Sequence, residues 1–287
     1  RQPGSVFKPF IYLTALEKGY NAVTQLLNQP LIHFFDDTLM WNPQNHDGST
    51  GLLTTLREGL KRSLNLISVR VVNQLEKVNP FDVASNAKQF NIKSSIQAYP
   101  SIALGVSEVT LKEIAAAYSA ISNEGIYVEP IAITRIEDRH GSIIKEFVPK
   151  INEVKNNDII YILRDMMKSV IDEGTGGSIR WKYKFSGPLA GKTGTTNSKA
   201  DAWFVGFTPQ ITIGVWVGLD DPAVSLGEKQ FGSVAALPIF ANSIKKIYDQ
   251  AKDYSYLNKR IILDDKLDWK VPPGIEKVSV CKQTYNL

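Results

Sequence analysis

Apolar residues recur at intervals of three and four along six segments of the chain, a spacing that predicts helices with one buried face. The predicted helices span residues 5–17, 53–61, 67–75, 109–118, 158–171 and 231–251. Elsewhere the pattern alternates with a period of two, which indicates β-strands. Residues 131–148 are predicted to form a hairpin that turns at 139–141. A meander of three short antiparallel strands is predicted at residues 189–195, 202–207 and 211–219.

This order of elements favours an α/β fold of one domain, in which an antiparallel sheet is flanked by helices and joined to a mostly helical lobe. The helical lobe is predicted at roughly residues 20–180, and the sheet strands with a closing helix at roughly 185–251. Residues 252–287 form a predicted C-terminal extension. The chain has 287 residues, and neither an internal repeat nor a linker divides it.

The composition excludes several classes of protein. The net charge of +4 is spread along the chain, so nucleic-acid binding is not expected. Cys281 is the only cysteine, which excludes an intrachain disulfide. His33, His46 and His140 lack the spacing of metal ligands, and we expect neither a metal ion nor another cofactor. No apolar run approaches the length of a membrane-spanning helix, and the nearest, residues 211–219, is predicted as a strand.

Three short motifs carry the candidate chemistry: an S-x-x-K on a helix, an S-x-N in a loop and a K-T-G on a strand. They begin at Ser5, Ser63 and Lys192. A serine that attacks an acyl carbon needs a base, a proton shuttle for the leaving group, and cationic and hydrogen-bonding groups for the substrate. Each motif alone is common in unrelated proteins. Together, in this order and these contexts, they predict a site for acyl transfer.

The segment that precedes the third motif invites a competing interpretation. Residues 187–193 resemble a phosphate-binding loop of the G-x-x-x-x-G-K-T type. The position of its first glycine is occupied by Ser186, and a predicted strand follows where that loop opens a helix. We therefore reject a nucleotide site.

The motifs lie in a wider pattern that resembles the transpeptidase domain of class A, bifunctional penicillin-binding proteins. The resemblance covers nearly the whole chain. It rests most strongly on the block Gly191-Lys192-Thr193-Gly194-Thr195-Thr196-Asn197 and the strands after it. It also involves residues 1–10, 53–65, 101–110 and 173–176.

The resemblance implies a β-lactamase/transpeptidase-like fold and a serine-type D,D-transpeptidase that cross-links peptidoglycan through an acyl-serine intermediate. It implies that Ser5 is the nucleophile and that Lys8, one turn away, is the base, which requires a lowered pKa. Burial and the nearby charge of Lys192 would lower that pKa. Ser63 would relay the proton to the leaving nitrogen, and Asn65 would hold the substrate amide and Lys8.

The resemblance also implies how the substrate is held. Lys192 would attract its terminal carboxylate, and the substrate-binding residues would be Thr193, Gly194 and Thr195. The backbone N–H groups of Ser5 and Thr195 would stabilise the oxyanion.

The partners that the resemblance implies are peptidoglycan stem peptides, as a D-Ala-D-Ala donor and an amine acceptor, together with β-lactam antibiotics and the glycosyltransferase domain of a parent protein. We expect that parent to act at the outer face of the bacterial cytoplasmic membrane, through an anchor absent from this chain. The first strands of the family's sheet are also expected to be missing. The strand at residues 211–219 would then have an open edge.

A hydrolytic β-lactamase is the nearer rival to a transpeptidase. A hydrolytic β-lactamase needs an added glutamate to activate water, but the local E-x-x-x-N runs from Glu17 to Asn21, directly after the nucleophile helix. We expect Glu17 to be a helix-end residue instead. A β-lactam sensor domain and a catalytically disabled penicillin-binding fragment stay open.

Overall fold

The computed structural model describes residues 1–34, 40–196, 198–254 and 263–281. Asn197 and parts of the predicted C-terminal extension lie outside the described residues. Among the described residues, short 3-10 turns lie at Gly4–Phe7 and Pro100–Leu104. Within the described ranges the α-helices are α1 (Lys8–Glu17), α2 (Leu56–Lys61), α3 (Asn65–Gln74), α4 (Pro80–Gln89), α5 (Leu111–Ser122), α6 (Asn157–Asp172), α7 (Ser178–Trp181), α8 (Gly232–Ala235) and α9 (Leu237–Tyr254).

The strands of the same ranges all pair in antiparallel fashion. The main sheet has the order β11-β10-β9, and four two-stranded ribbons join β1 to β4, β2 to β3, β5 to β8 and β6 to β7. The strands are β1 (Gln25–Leu27), β2 (His33–Phe34), β3 (Met40–Trp41), β4 (Leu53–Thr55), β5 (Ile126–Val128), β6 (Arg135–Glu137), β7 (Ile143–Glu146), β8 (Ile151–Glu153), β9 (Ala190–Thr195), β10 (Asp201–Phe207) and β11 (Thr212–Gly218).

Helices cover both faces of the main sheet. All seven residues of β10 are buried, and successive side chains point to opposite faces. Trp203 and Val205 belong to the larger hydrophobic core with α1, whereas Phe204 packs on Phe240 of α9 at a ring separation of 4.6 Å. Structures of this kind belong to the α/β class, which confirms the predicted fold of an antiparallel sheet flanked by helices.

Several predicted elements are confirmed. The meander is present as β9, β10 and β11, and the predicted hairpin contains β6 and β7. The helices expected at 67–75, 109–118, 158–171 and 231–251 are present with shifted ends, and the last is divided between α8 and α9. None of the helices in the described ranges combines the length and apolarity that a membrane crossing requires.

The segment predicted as one helix over 53–61 is the first exception. Its first three residues form β4, which pairs with β1, and the helix starts only after Thr55. The Thr55 hydroxyl accepts a hydrogen bond from the Glu58 N–H at 3.2 Å and so caps α2. Pairing with a strand thus overrides the helical pattern of this segment.

The helix predicted at 5–17 differs in two respects. Ser5 lies in the 3-10 turn ahead of α1, where side chains three residues apart lie on the same side. Every residue of α1 from Lys8 to Leu16 is buried. The prediction of an amphipathic helix is therefore wrong, since α1 runs through the core and contacts α2, α3, α4 and α6.

Strand β10 is central in the main sheet, so β9 and β11 each have one edge without a strand partner among the described residues. The Arg1 guanidinium lies near the end of β11. It stands 5.4 Å from the centroid of the Trp216 ring and donates a hydrogen bond to the Asp220 carbonyl at 2.8 Å.

A close approach between two glycines fixes the turn that carries Ser5. The Gly4 N–H donates to the Gly105 carbonyl at 3.1 Å, and both glycines have positive φ angles, +53° and +68°. A Cβ atom on Gly105 would lie 2.1 Å from the Gly4 carbonyl oxygen. Only glycine fits at this contact without displacing the turn.

We predict that Gly105→Ala lowers the free energy of unfolding more than Gly19→Ala does. Both glycines have a positive φ, but nothing lies within 4 Å of a Cβ at Gly19. Gly19→Ala therefore reports the left-handed backbone alone, at about 1–2 kcal/mol. Gly105→Ala adds the collision with Gly4. Urea unfolding of both variants measures the difference, and equal losses would contradict the close approach.

Candidate active site

A cavity of about 580 Å³ opens where the three motifs meet, and Ser5, Ser63, Asn65, Thr193 and Thr195 are among its lining residues. Ser5 comes from the 3-10 turn at Gly4–Phe7. Ser63 and Asn65 lie at the junction of α2 and α3, and both threonines lie on β9. Segments far apart in the sequence are thus brought to one groove. All the residues predicted for the site line the cavity, except the two lysines, which are buried.

Ser63 is the point at which both lysines converge. The Lys192 Nζ donates to the Ser63 Oγ at 2.8 Å. The Lys8 Nζ donates to the Ser63 carbonyl at 2.7 Å and to the Asn65 Oδ1 at 2.8 Å, and it lies 3.4 Å from the Ser63 Oγ. One hydroxyl therefore lies in contact with two amines, which is the arrangement that a proton relay requires.

The backbone of Ser63 adopts a left-handed conformation with φ of +60°. This conformation costs a residue other than glycine about 1–2 kcal/mol. The hydrogen bond from Lys8 to the Ser63 carbonyl helps to stabilise it.

Both lysines are fully buried, and neither forms an ion pair with a described residue. Burial, with the charge of Lys192 as a second cause, holds the pKa of Lys8 well below its ordinary value. Burial lowers the pKa of Lys192 to about 7. The lowered pKa expected for Lys8 is confirmed in its direction, which favours the unprotonated form of this amine.

Ser5 is half-buried at the wall of the cavity. Its hydroxyl makes no hydrogen bond within 3.5 Å to any part of the chain that the structure describes. Lys8 is engaged with the second motif and not with Ser5. The Ser5 hydroxyl is therefore open to a ligand in the groove.

The 3-10 turn that carries Ser5 rests directly on β9. A Cβ atom on Gly194 would lie 2.7 Å from the Pro3 carbonyl and 3.0 Å from a methyl group of Val6. Tyr118, buried behind the turn, donates its hydroxyl to the Val6 carbonyl at 2.6 Å. The first and third motifs are in this way held at a fixed separation.

The two threonines of β9 are held from the opposite side. The Thr193 Oγ1 lies 2.8 Å from the Thr175 Oγ1, and the Thr195 Oγ1 accepts a hydrogen bond from the Gly232 N–H at 3.0 Å. Thr175 lies in the segment 173–176, which contributes to the family resemblance but was assigned no role from the sequence. Its contact with Thr193 shows that this segment forms part of the site.

The loop before β4 supplies residues that the sequence did not indicate. The Asn45 Oδ1 accepts the Leu66 N–H at 3.0 Å and so caps the first turn of α3. The Gln44 carbonyl accepts from the Asn65 Nδ2 at 2.9 Å, which orients the amide of the second motif. A pattern such as N-P-Q-N is ordinary turn sequence, and no signal in it distinguishes these contacts.

Glu17 lies away from the cavity, at the end of α1. Its carboxylate pairs with the Lys155 Nζ at 2.5 Å and accepts from the Asn86 Nδ2 at 2.6 Å. The interpretation of Glu17 as a helix-end residue is confirmed, and it does not activate water in this groove. In the described part of the chain no group of three or more histidine, cysteine, aspartate and glutamate side chains is arranged to hold a metal ion.

Comparison with known proteins places the chain among transpeptidases. The family described as the penicillin binding protein transpeptidase domain matches residues 1–245. Penicillin-binding protein 1A of Rickettsia typhi is 35% identical over 99% of this chain and 37% of its own length. The corresponding protein of Aquifex aeolicus is 38% identical over 86% of this chain and 33% of its own. The chain therefore spans about a third of the length of these relatives.

Solved structures agree with this placement. Penicillin-binding protein 1A of Haemophilus influenzae has a TM-score of 0.87 and 26% identity, and the match covers 100% of this chain and 46% of that one. PonA1 of Mycobacterium tuberculosis, solved with penicillin V, has a TM-score of 0.77 at 23% identity over 96% of this chain and 73% of that one. At that identity the second likeness supports the fold alone.

We predict that Lys192→Met flattens the pH dependence of stability. The folded chain releases the Lys192 proton at a pKa of about 7, whereas the unfolded chain keeps it to near the ordinary 10.5. Between these values the unfolded state binds more protons, so the free energy of unfolding rises with pH, by up to about 1.4 kcal/mol per unit. Urea unfolding between about pH 7.5 and pH 9.5 measures the slope.

Lys88→Met, at an exposed lysine of α4, is the matched control and should leave that slope unchanged. The same slope in Lys192→Met as in the unsubstituted protein would show that Lys192 stays protonated in its buried site.

Proposed function

Because the chain belongs to the family of penicillin-binding protein transpeptidase domains, we propose that it is a serine-type D,D-transpeptidase, which cross-links peptidoglycan stem peptides through an ester on Ser5. The observation that carries this proposal is the Ser63 hydroxyl. It lies 2.8 Å from the Lys192 amine and in contact with Lys8, inside a cavity that Ser5 also lines.

In the first step the Ser5 oxygen attacks the carbonyl carbon of the penultimate D-alanine of a stem peptide. The new C–O bond forms as the Ser5 proton passes to the unprotonated amine of Lys8. The oxyanion accepts hydrogen bonds from the backbone N–H groups of Ser5 and Thr195. Loss of one such donor typically costs about 3–4 kcal/mol of barrier.

The C–N bond to the last D-alanine then breaks. The departing nitrogen takes the hydroxyl proton of Ser63, and the Lys8 amine returns a proton to Ser63. The short contact between Ser63 and Lys192 and the one between Ser63 and Lys8 support this route. Lys192 and the hydroxyls of Thr193 and Thr195 hold the terminal carboxylate, while Asn65 and Gly194 face the rest of the peptide.

In the second step an amine of a neighbouring stem peptide attacks the ester carbon. A C–N bond forms, the bond to the Ser5 oxygen breaks, and the amine proton returns to that oxygen along the same relay. A β-lactam enters the first step in place of the peptide. Because the Glu17 carboxylate is bound elsewhere, the resulting ester lacks that group as an activator of water and is slow to hydrolyse.

The setting of this reaction is also a proposal. The relatives at 35% and 38% identity are about three times as long as the matched segment. We place this domain in a parent protein that has a glycosyltransferase domain and a membrane anchor, with the groove at the outer face of the bacterial cytoplasmic membrane. Stem peptides, as donor and acceptor, are its substrates.

We predict that Ser5→Ala abolishes covalent labelling by a fluorescent penicillin, because no ester can form without the hydroxyl. Gel fluorescence and intact-protein mass spectrometry measure the adduct. Ser101→Ala, a serine in the 3-10 turn at Pro100–Leu104, is the control and should be labelled like the unsubstituted protein. Labelling of the Ser5→Ala protein would remove Ser5 as the nucleophile.

The same assay separates the alternatives. A sensor domain would be labelled but would form no cross-link between paired stem peptides, and a disabled fragment would show neither reaction.

We predict that Ser63→Gly slows acylation by about 100-fold or more while leaving the protein folded. Glycine accepts the φ of +60° and keeps the carbonyl that Lys8 binds, so the variant removes only the hydroxyl of the relay. Stopped-flow acylation by a fluorescent penicillin and urea unfolding measure the two effects.

Glu124→Gly is the matched control, because Glu124 is exposed and also has a left-handed φ of +57°. It should acylate at the unsubstituted rate. An unchanged rate in the Ser63→Gly protein would show that the proton takes another path.

A further inference from the structure

A second cavity, of about 400 Å³, lies beside the groove. Thr175 and Ser233 line both cavities, so the two adjoin at these residues. The remaining wall of the second cavity includes Trp181, Tyr183 and Val234. The steps proposed above leave this cavity without a role.

Hydrogen bonds hold both walls of the second cavity in place. Arg180 donates to the Asp172 carboxylate at 2.9 Å and to the Phe185 and Gly187 carbonyls at 2.9 and 2.7 Å. These bonds fix α7 and the segment after it, which bears Trp181 and Tyr183. On the other wall, the bond from the Gly232 N–H to Thr195 fixes the start of α8.

The lining combines apolar surface with a positive charge. Trp181 is 67% exposed and Val234 is 50% exposed, although both face a formed cavity. The Lys182 Nζ lies 5.3 Å from the centroid of the Tyr183 ring, a cation–π contact that helps to position the amine. An exposed indole beside a cation fits a peptide that carries both apolar side chains and a carboxylate.

The position of the second cavity next to the threonines of β9 indicates which peptide it binds. In the proposed function, Thr193 and Thr195 hold the carboxylate of the departing D-alanine. The attacking amine must approach the same carbon from the position that the departing nitrogen vacates, because the second step is the reverse of the first at that atom. Thr175 lines both cavities and lies 2.8 Å from the Thr193 hydroxyl, so the second cavity adjoins the threonine that holds this carboxylate in the proposed function.

We infer that the second cavity is the acceptor subsite, which holds the body of the stem peptide whose amine attacks the Ser5 ester. This inference rests on the proposed function. The attack forms a C–N bond, breaks the bond to the Ser5 oxygen and returns the amine proton to that oxygen. The cavity itself takes no part in bond making and acts by binding.

The test uses the whole chain and Trp181→Ala. A D-Ala-D-Ala donor peptide acylates the protein, and the ester is offered two acceptors: a tetrapeptide that ends in D-alanine and carries a free side-chain amine, and free D-alanine. Mass spectrometry measures how the acyl group divides between each amine and water. Transfer to the tetrapeptide should fall about tenfold, the effect of truncating a well-placed tryptophan.

In Trp181→Ala two rates should equal those of the unsubstituted protein. One is acylation by fluorescent penicillin, and the other is transfer to free D-alanine, which is too small to reach Trp181.

Val234→Gln should reduce transfer to the tetrapeptide as Trp181→Ala does. Phe81→Ala is the matched control, since Phe81 is 75% exposed on α4 and lines neither cavity. It should change no rate.

Binding of the tetrapeptide to the penicillin-acylated protein, measured by calorimetry, gives a readout that needs no turnover. Weaker binding in Trp181→Ala supports the subsite. Equal transfer and equal binding in the two proteins, or no binding in either, overturns it. Absence of penicillin acylation in the unsubstituted chain is a different result, because it overturns the proposed function itself.

Discussion

Two amines, those of Lys8 and Lys192, share one buried site in which no described carboxylate pairs with them. A buried ammonium without a counter-ion is costly, and the ordinary solution is for the group to give up its proton. The ligands of these amines are neutral oxygens: the Ser63 carbonyl and hydroxyl, the Asn65 amide and the Thr193 carbonyl. A carboxylate in this position would stabilise the charge and remove the base.

The rest of the fold makes this unfavourable arrangement tenable. Lys8 begins a helix that is buried from Lys8 to Leu16 and contacts four other helices, and its own side chain is fully buried. Lys192 lies on a strand whose neighbour, β10, is buried along its whole length. The start of α3, which carries Asn65, is fixed by hydrogen bonds to Gln44 and Asn45. Packing and neutral hydrogen bonds therefore substitute for an ion pair.

Features of the fold and the site that depend on residues close together in the sequence could be predicted, and features that depend on tertiary contacts could not. The strands β9, β10 and β11 follow from an alternation in the sequence, and the three motifs indicate which residues meet. The left-handed backbone of Ser63 could not be predicted, because the bond from Lys8 that supports it comes from a residue 55 positions away. The burial of α1 on every side also depends on tertiary neighbours. The same holds for Thr175, whose partner is on β9.

The two amines also constrain each other. A proton on Lys192 lowers the pKa of Lys8, so the state with both amines charged is disfavoured. The state with one proton between them provides a base and a cation together, as attack by Ser5 and binding of a carboxylate require in the proposed function. The Ser63 hydroxyl contacts both amines, so the proton can change places through it. In the proposed function the two lysines therefore act as one unit, and we expect substitution of either one to change both the attack by Ser5 and the binding of the carboxylate.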